Sequence, residues 1–516
     1  MPGGFLGPIL STRAMAPHMN TPKASILLPV WMKRKTLILL SAVLTLCPAY
    51  SAQEPPERKP NIVLVMADDL GWGDAGCMNP ASKIPTPNLD RVAAAGMRFL
   101  DAHSPSAVCT PTRYGLLTGR YAWRTHLKAW VLGGASPALI EEGRTTLASM
   151  LSDAGYYTMG IGKWHLGLGL AKSTEFDAPL RPGPVSCGFD TYFGIPASLD
   201  MPPYVWILDE GLVQAPTGLL PGEKHRRQDG LGFYRKGAAA PDFRMHEVLP
   251  RVEQKAVEWI ERAQRDQPEQ PFFLYLALPA PHTPWVPVAP HLGASEAGWY
   301  GDFVHQVDGT VGSVLAALRR TGFADNTLLI VTSDNGSHWL EKDERTFGHM
   351  ANGDWRGQKA DIHEGGHRVP FLVRWPGKTP AGSVCPDLVC LTDVFATLAE
   401  LVEHPLGDAE AEDSISLLPA LRGEESSASA RKEVVHHSGG GMFAVRSGPW
   451  KLILGLGSGG FTQPKHIKAT DGGPKGQLYH LERDPKEEKN LWSEQPEVVA
   501  RLTEKLNVWR DSGSTR

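Results

Sequence analysis

Short apolar runs alternate with amphipathic stretches along most of this 516-residue chain. Predominantly apolar runs rich in β-branched and aromatic residues are typical of strands covered on both faces, and they occur at 61–66, 155–161, 271–278, 327–332 and 369–375. Helical periodicity lies between them, at 88–96, 145–154, 246–265 and 303–320. This alternation predicts an α/β fold in which a large, mostly parallel sheet is sandwiched by helices.

The pattern changes towards the C-terminus. After a predicted helix at 393–403, apolar and polar positions alternate in several short segments, and a last helical pattern follows at 496–509. This predicts a small antiparallel sheet with a helix packed on it. Since 516 residues exceed what one simple core holds, we expect a large domain over 61–425 and a small C-terminal α+β subdomain over 426–516.

Residues 170–240 are rich in glycine and proline and poor in periodicity. We interpret this region as an insertion that lines a cleft, with a long solvated loop as the alternative.

The N-terminus has the layout of a secretory signal. A basic cluster (33–35) precedes the apolar run 37–46 and the small residues Ala49, Ser51 and Ala52, and the run is too short to span a bilayer. We expect a signal peptide over 32–52 and a linker over 53–60, and we interpret residues 1–31 as an extension that results from placing the start codon too early. The product should be exported, periplasmic or secreted, without stable membrane insertion. Lipid attachment at Cys47 is a minor alternative, because the residue before it is Leu46 rather than a small one.

The composition argues against one class of binding partner. The net charge of -4 and the lack of long basic blocks argue against nucleic-acid binding. Apart from Cys47 and Cys109, the cysteines are Cys77, Cys187, Cys385 and Cys390, and they have no zinc-knuckle spacing. One or two disulfides among them are compatible with export, but the sequence leaves their connectivity open.

Polar side chains follow the predicted strands. Asp68 and Asp69 come directly after 61–66, and Asp334 and Asn335 come directly after 327–332. Either pair alone is compatible with ordinary turn and helix-cap chemistry. If both strands end at one sheet edge, three carboxylates and an amide oxygen converge, and such hard oxygen donors suit calcium or magnesium, with calcium favoured.

Other strand ends carry basic and imidazole groups. Lys163 and His165 follow 155–161, and His282 follows 271–278 between two prolines. Lys359 precedes the run EGGHRVP. An extended turn after a strand points residues two apart into one cleft, whereas a helix would separate them.

Cys109 begins the run CTPTR, which places a thiol four residues before Arg113 and ahead of the helix-like segment 114–117. A lone cysteine is most often a buried small hydrophobe. Here the whole stretch CTPTRYGLLTGR resembles the signature of type I sulfatases of the arylsulfatase-like, bacterial exported kind, and the likeness extends from about 61 to 491. It implies an alkaline-phosphatase-like fold and a sulfuric ester hydrolase.

The resemblance also implies residue roles. In that family the cysteine is converted to formylglycine by a formylglycine-generating enzyme, and one hydroxyl of the hydrated aldehyde attacks sulfur. One calcium ion is held by the positions that match Asp68, Asp69, Cys109, Asp334 and Asn335. The catalytic positions that match are Cys109, Arg113, Lys163, His165, His282 and Lys359. One departure is His363, where the family more often has tryptophan or tyrosine.

Two alternatives stay open. A phosphodiesterase or phosphonate hydrolase of the same fold would need extra histidine ligands near the acids, and a non-catalytic glycan-binding protein would lack some of the six catalytic positions. We expect a sulfated carbohydrate as substrate, because aromatic faces stack on sugar rings. The candidate aromatic residues are Tyr204, Trp206, Trp285, Trp299, Tyr300 and Trp339. For most of them, packing in the core is the alternative.

Overall fold

The computed structural model describes residues 58–224, 232–424 and 430–516. Its helices are α1 Pro87–Ala94, α2 Cys109–Thr118, α3 Leu147–Asp153, α4 Val248–Asp266, α5 Gly298–Arg320, α6 Glu341–Phe347, α7 Glu364–His367, α8 Asp393–Leu401, α9 Leu418–Leu421 and α10 Pro496–Ser512. Its first eight strands are β1 Asn61–Asp68, β2 Met97–His103, β3 Tyr157–Lys163, β4 Thr191–Ile195, β5 Ile207–Leu208, β6 Gly211–Leu212, β7 Gly218–Leu220 and β8 Gly237–Ala239. The remaining strands are β9 Phe272–Pro281, β10 Thr327–Ser333, β11 Phe371–Arg374, β12 Ser383–Cys390, β13 Glu433–His437, β14 Phe443–Ser447, β15 Trp450–Ile453 and β16 Gln477–His480.

Ten strands form one large mixed sheet in the order β12-β2-β11-β10-β1-β9-β3-β4-β5-β6. Its central strands β10, β1, β9, β3 and β4 are parallel, and β11 runs antiparallel between β10 and β2. Strand β1 pairs with β10 in register up to Ala67 and Ser333. The residues that follow the parallel strands therefore meet at one edge, where α/β folds bind their ligands.

Alternation along the central strands builds two cores. Val63 and Val65 of β1 face a core shared with α1, α4 and α5, whereas Ile62 and Leu64 face a second core shared with α2, α3 and α8. Both faces of the strand are thus buried, which explains its uninterrupted apolar sequence. The predicted helix-covered sheet is confirmed.

The predicted strands missed five members of this sheet: β2, β4, β5, β6 and β12. Strand β4 lies within 170–240 and pairs with β3, and β5 to β8 form short antiparallel pairs in the same region. The region therefore contains regular structure and is not only the long solvated loop of the alternative, while its role as an insertion that lines a cleft stays a prediction. Strand β12 carries Pro386 and a register shift, which an edge strand tolerates but which removes its sequence signal.

A second, four-stranded antiparallel sheet, β13-β14-β15-β16, holds the C-terminal segments, with α10 packed on it, as predicted. Buried polar groups join it to the large sheet. We define the interior cluster as the side chains of Asp101, His103, Glu364, His367, His436 and Lys451. Lys451 Nζ lies 3.0 Å from Glu364 Oε1, and the Nδ1 atoms of His103 and His367 are 2.9 Å apart.

Three further points concern the sequence expectations. Within the described residues all five cysteines are free, so no disulfide joins them. None of the described helices combines the length and the apolar composition that a membrane crossing requires. The expected N-terminal extension and signal peptide, residues 1–52, lie outside the described residues, and the domain boundary near 425 stays a prediction.

Candidate active site

The candidate site lies at the edge of the large sheet where β10, β1, β9 and β3 end. Asp68 is the last residue of β1 and Lys163 the last of β3, while Asp334 and His282 directly follow β10 and β9. Four neighbouring strands thus each deliver a polar side chain to the same place. All ten side chains predicted for catalysis or metal binding, including that of Cys109, are at least nine-tenths buried here.

Backbone geometry at these strand ends is unusual. Gly162, just before Lys163, has φ 108°, and a Cβ there would lie 1.9 Å from the carbonyl oxygen of Ala277 on β9. Only glycine therefore lets β3 approach β9 so closely. Asp69 and His165 adopt left-handed backbone with φ of 68° and 60°, a conformation that non-glycine residues retain mainly where function demands it.

Cys109 is the first residue of α2, a ten-residue helix, so it lies at the positive end of the helix dipole. The sequence placed only 114–117 in a helix, and the structure begins that helix at the cysteine itself. Its Sγ is 3.4 Å from Asp68 Oδ1. Burial, together with the nearby Asp334, raises the pKa of the Cys109 thiol, so the unmodified residue is a protonated, weakly nucleophilic thiol at neutral pH.

Acids and bases pair closely around Cys109. Lys163 Nζ is 2.7 Å from Asp68 Oδ2, and Lys359 Nζ is 2.7 Å from the Asp69 carboxylate. The Arg113 guanidinium donates to Asp334 Oδ2 from Nη2 at 2.7 Å and from Nε at 3.1 Å. Three carboxyl groups therefore face three basic side chains, all buried.

The pKa values of two of these acids move in opposite directions. For Asp68, burial alone would raise the pKa, but Lys163, His282, Arg113 and Lys359 together outweigh it and hold the pKa well below its usual range. For Asp334, burial and repulsion from Asp68 prevail over Arg113, and the pKa is raised. Acids whose environments diverge in this way are typical of functional sites.

His165 is arranged as a neutral base. Its Nε2 lies 2.8 Å from the carbonyl oxygen of Leu132, which can only accept, so Nε2 carries the proton and Nδ1 keeps a lone pair. Within the described chain Nδ1 is buried without a hydrogen-bond partner. Burial, and then the charges of Lys163 and Arg113, lower the pKa of His165 well below its usual value, so the ring is unprotonated at neutral pH.

His282 is oriented by its backbone neighbour. Its Nδ1 donates to the carbonyl oxygen of Thr283 at 2.6 Å, and its Nε2 is 3.7 Å from Asp69 Oδ2. The side chain is 7% exposed, so it borders the open side of the site.

The carboxylates of this site, together with Asn335, offer oxygen ligands of the kind that a hard divalent cation prefers. Donor atoms of Asp68, Asp69, Cys109 and His282 all lie within 4.8 Å of one another. Asn335 adds an independent sign, since its Nδ2 donates to Asp69 Oδ1 at 2.7 Å while its buried Oδ1 has no hydrogen-bond partner in the described residues. A buried oxygen without a donor is a site for a missing partner, and a cation supplies one.

One sequence expectation about the site needs correction. The aromatic residues expected to contact a sugar are mostly packed in the core: Tyr204, Trp206, Trp285, Tyr300 and Trp339 are at most 8% exposed, and Trp299 packs against them. His363, the departure from the family pattern, contacts the small sheet instead of the acids, with Nε2 3.3 Å from Gln477 Oε1.

Two contributors to the site were not predicted. Leu132 orients His165 through its carbonyl oxygen, and Asp200 Oδ1 lies 3.9 Å from His282 Nδ1. Neither carries a sequence signal, because a backbone carbonyl has no residue preference and Asp200 lies in a stretch without a motif.

Comparison with known proteins agrees with this arrangement. The sulfatase family model matches residues 60–404. The chain is 35% identical to an N-acetylgalactosamine-6-O-sulfatase of Bacteroides thetaiotaomicron, covering 87% of this chain and 93% of that protein. It is 32% identical to an N-acetylgalactosamine-6-sulfatase of Canis lupus familiaris, covering 76% and 71%.

A solved structure from a study of glycosaminoglycan metabolism by Bacteroides thetaiotaomicron superposes with a TM-score of 0.78 at 33% identity. It covers 88% of this chain and 100% of that one. The chain belongs to the sulfatase family, in its arylsulfatase-like type I class, and is a sulfuric ester hydrolase.

Proposed function

We propose that this enzyme hydrolyses sulfate esters of carbohydrates, using a formylglycine made from Cys109 and one bound calcium ion. The observation that carries the proposal is the setting of Cys109. Its buried thiol is a poor nucleophile as it stands, yet it lies at a helix N-terminus, 3.4 Å from Asp68 and among three basic side chains. Such surroundings suit an anion-forming oxygen and a bound sulfate far better than a thiol.

Formylglycine, once hydrated, supplies a hydroxyl nucleophile and a second hydroxyl whose deprotonation releases the product sulfate. Lys163 and Lys359 bind the sulfate oxygens, and Arg113, which is held rigidly by Asp334, stabilises negative charge at position 109. His165 accepts a proton at Nδ1, the ring nitrogen left without a partner. His282 protonates the departing oxygen from the open side of the site.

Calcium would be held by Asp68, Asp69, Asp334, Asn335 and the oxygen at position 109, where it offsets the charge of the sulfate. In the present structure Lys163 and Lys359 bond two of these carboxylates at 2.7 Å. A cation bound by the acids would release both lysines, which are then available to the sulfate. The orphaned Asn335 Oδ1 supports this assignment.

The substrate class we propose is a sulfated carbohydrate, with 6-O-sulfated N-acetylgalactosamine as the first candidate. Two relatives that share at least 32% identity are named for that reaction. The family alone does not choose among sulfated sugars, so the choice rests on these two likenesses.

We also propose that the enzyme is exported by a signal peptide at 32–52, with lipid attachment at Cys47 as the minor alternative. Its maturation partner would be a formylglycine-generating enzyme. Such enzymes act on the chain before folding, and the burial of Cys109 in the folded protein agrees with that order.

The test combines mass spectrometry with a substrate panel. The full-length chain is expressed with and without a formylglycine-generating enzyme, and the peptide containing Cys109 is weighed. We expect the aldehyde mass and sulfatase activity to appear together, with N-acetylgalactosamine 6-sulfate turned over faster than a phosphate monoester, a phosphodiester or a phosphonate ester. Full activity with an unmodified thiol would refute the mechanism, and faster phosphodiester turnover would favour the phosphohydrolase alternative.

A further inference from the structure

Trp130 is an outlier in both exposure and backbone conformation. Among the tryptophan, tyrosine and phenylalanine residues within 58–224, 232–424 and 430–516, Trp130 is the only exposed one, at 43% relative exposure. Its φ is 62°, in the left-handed region that a bulky residue rarely adopts. A large apolar side chain held in water on a strained backbone is maintained against two unfavourable free-energy terms, which points to a role outside folding.

The segment that carries Trp130 lies directly against the candidate site. Two residues further on, Leu132 accepts from His165 Nε2 at 2.8 Å and donates its N–H to Thr110 Oγ1 at 3.1 Å. Thr110 is the neighbour of Cys109. The backbone between 130 and 132 spans at most about 7 Å, so the Cα of Trp130 lies within that distance of the Cα of Leu132, whose carbonyl oxygen contacts His165.

The other side of Trp130 is tied to the loop of Lys359. Its N–H donates to the carbonyl oxygen of Gly439 at 2.6 Å, and the Gly439 N–H donates to that of Ala360 at 2.8 Å. Ala360 in turn donates to the carbonyl oxygen of Ala107, two residues before Cys109. A chain of backbone hydrogen bonds thus fixes Trp130 between the segments that bear Lys359 and Cys109.

The indole is supported from one side by a second aromatic ring. Phe461 stacks on Trp130 with ring centroids 6.0 Å apart and planes 25° apart, and Asp361 holds Phe461 by accepting its N–H at 2.8 Å. The ring of His338, three residues after Asn335, lies 4.8 Å from Phe461 on centroids. Gly439 also approaches the indole, since a Cβ on it would lie 3.0 Å from Trp130 Cζ3, and the rest of the side chain accounts for the 43% exposure.

We propose that the exposed part of this indole is a stacking platform for the pyranose ring of the substrate, next to the position of its sulfate group. The inference rests on the proposed function and extends it, because it assigns a sugar-binding residue that the buried aromatics cannot supply. A pyranose is favoured over a protein partner because the exposed apolar area is a single ring beside the reacting groups, about the size of one sugar face.

The experiment compares Trp130→Ala and Trp130→Phe with the wild-type enzyme, all carrying formylglycine, on N-acetylgalactosamine 6-sulfate. We expect Trp130→Ala to raise KM about tenfold while kcat stays within about threefold, and Trp130→Phe to keep most of the affinity because a planar ring remains. Leu208→Ala, which truncates another exposed apolar side chain at 51% exposure, is the matched control and should leave KM unchanged.

Two inhibitors separate binding of the sugar from damage to the site. Inhibition by desulfated N-acetylgalactosamine should weaken in Trp130→Ala by about the same factor as KM, while the inhibition constant of inorganic sulfate stays within about twofold. Parallel loss of sulfate inhibition and kcat would overturn the platform and assign Trp130 to positioning of His165 through Leu132. An unchanged KM in Trp130→Ala would also overturn it, whereas a wild-type enzyme that cleaves no sulfate ester would refute the proposed function itself.

Discussion

The candidate active site and the interior cluster are built from similar kinds of residue, and both are buried apart from Asp101, whose side chain is 15% exposed. In the interior cluster each carboxylate is paired with cations: Glu364 contacts Lys451 of the small sheet at 3.0 Å and Arg368, four residues further on, at 2.8 Å, and Asp101 contacts Arg368 at 2.7 Å. These pairs join β2, the segment around α7 and the small sheet. They have no reason to change during catalysis.

In the candidate site the pairs join groups with opposing tasks. The lysines that we assign to sulfate bond the carboxylates that we assign to calcium, and two acceptors, Asn335 Oδ1 and His165 Nδ1, have no partner among the described residues. Similar buried acidic and basic residues therefore have a structural role in one cluster and a binding role in the other. The ion pairs of the interior cluster, in which His436 Nε2 is also without a hydrogen-bond partner in the described chain, hold two sheets together, whereas pairs that a cation and a sulfate can replace form a binding site.

The largest effect that this comparison predicts is on activity. Cys109→Ala should lower kcat by on the order of 10⁴-fold or more, because the nucleophile is removed, while the free energy of unfolding changes by less than about 1 kcal/mol. Sulfate release and chemical denaturation measure the two quantities. A variant that unfolds but stays active would contradict the division between the two clusters.

The converse substitution is Lys451→Met in the interior cluster. It leaves Glu364 and Glu487 without their shared cation, which lies 3.0 and 2.9 Å from them. Breaking a buried ion pair on one side costs about 3–5 kcal/mol, so we expect that loss in the free energy of unfolding. The folded fraction, isolated by size-exclusion chromatography, should keep wild-type kcat/KM. Loss of activity per folded molecule would mean that the interior cluster takes part in catalysis.

Calcium binding should have a smaller effect, a reversible increase in the free energy of unfolding. At a concentration of 100 times its dissociation constant, the ion should stabilise the wild-type protein by about 2.7 kcal/mol, and a chelator should reverse this. Asn335→Leu should lose most of that gain, because the orphaned oxygen is gone, whereas Lys451→Met should keep it. Thermal unfolding with and without calcium measures the effect, and equal responses of the two variants would remove the basis for a cation in the site.

Much of the sheet and nearly all of the candidate site could be predicted from the sequence, for one physical reason. The central strands are buried on both faces, so their runs are visibly apolar, and the polar residues that end them stand out. Asp68, Asp334 and Lys163 are each recognisable from their place after such a run. Parallel pairing then brings them together without further information.

The remaining features depend on contacts between distant segments. Glu364 and Lys451 are 87 positions apart, and nothing local marks either as a partner. Edge strand β12 is interrupted by Pro386, and β2 mixes buried with exposed positions, so neither has a clean period. Trp130 was missed because its exposure depends on where Gly439 and Phe461 hold it, and a tryptophan in sequence usually indicates core.

The smallest effect concerns pH and the imidazoles near the small sheet. Burial lowers the pKa of His437 from 6.5 to about 4, partly offset by its hydrogen bond to the Ser438 carbonyl oxygen, and burial also lowers the pKa of His103, His367 and His436. Below pH 6.5 the unfolded chain binds protons that the folded chain does not. Stability is therefore lost as pH falls, at about 1.4 kcal/mol per pH unit for each such histidine.

Urea unfolding at pH 7, 6 and 5 tests this for His437, which lies beside the interior cluster and forms no ion pair in the described chain. His437→Gln should reduce the pH slope of the unfolding free energy by about 1.4 kcal/mol per unit between pH 6 and 5, since glutamine does not titrate. His246→Gln, at a half-exposed imidazole on the surface, is the control and should leave the slope unchanged. Equal slopes in the wild type and His437→Gln would mean that this side of the molecule admits protons as freely as the unfolded chain. The interior cluster would then be as exchangeable as the candidate site, and the distinction between them would not hold.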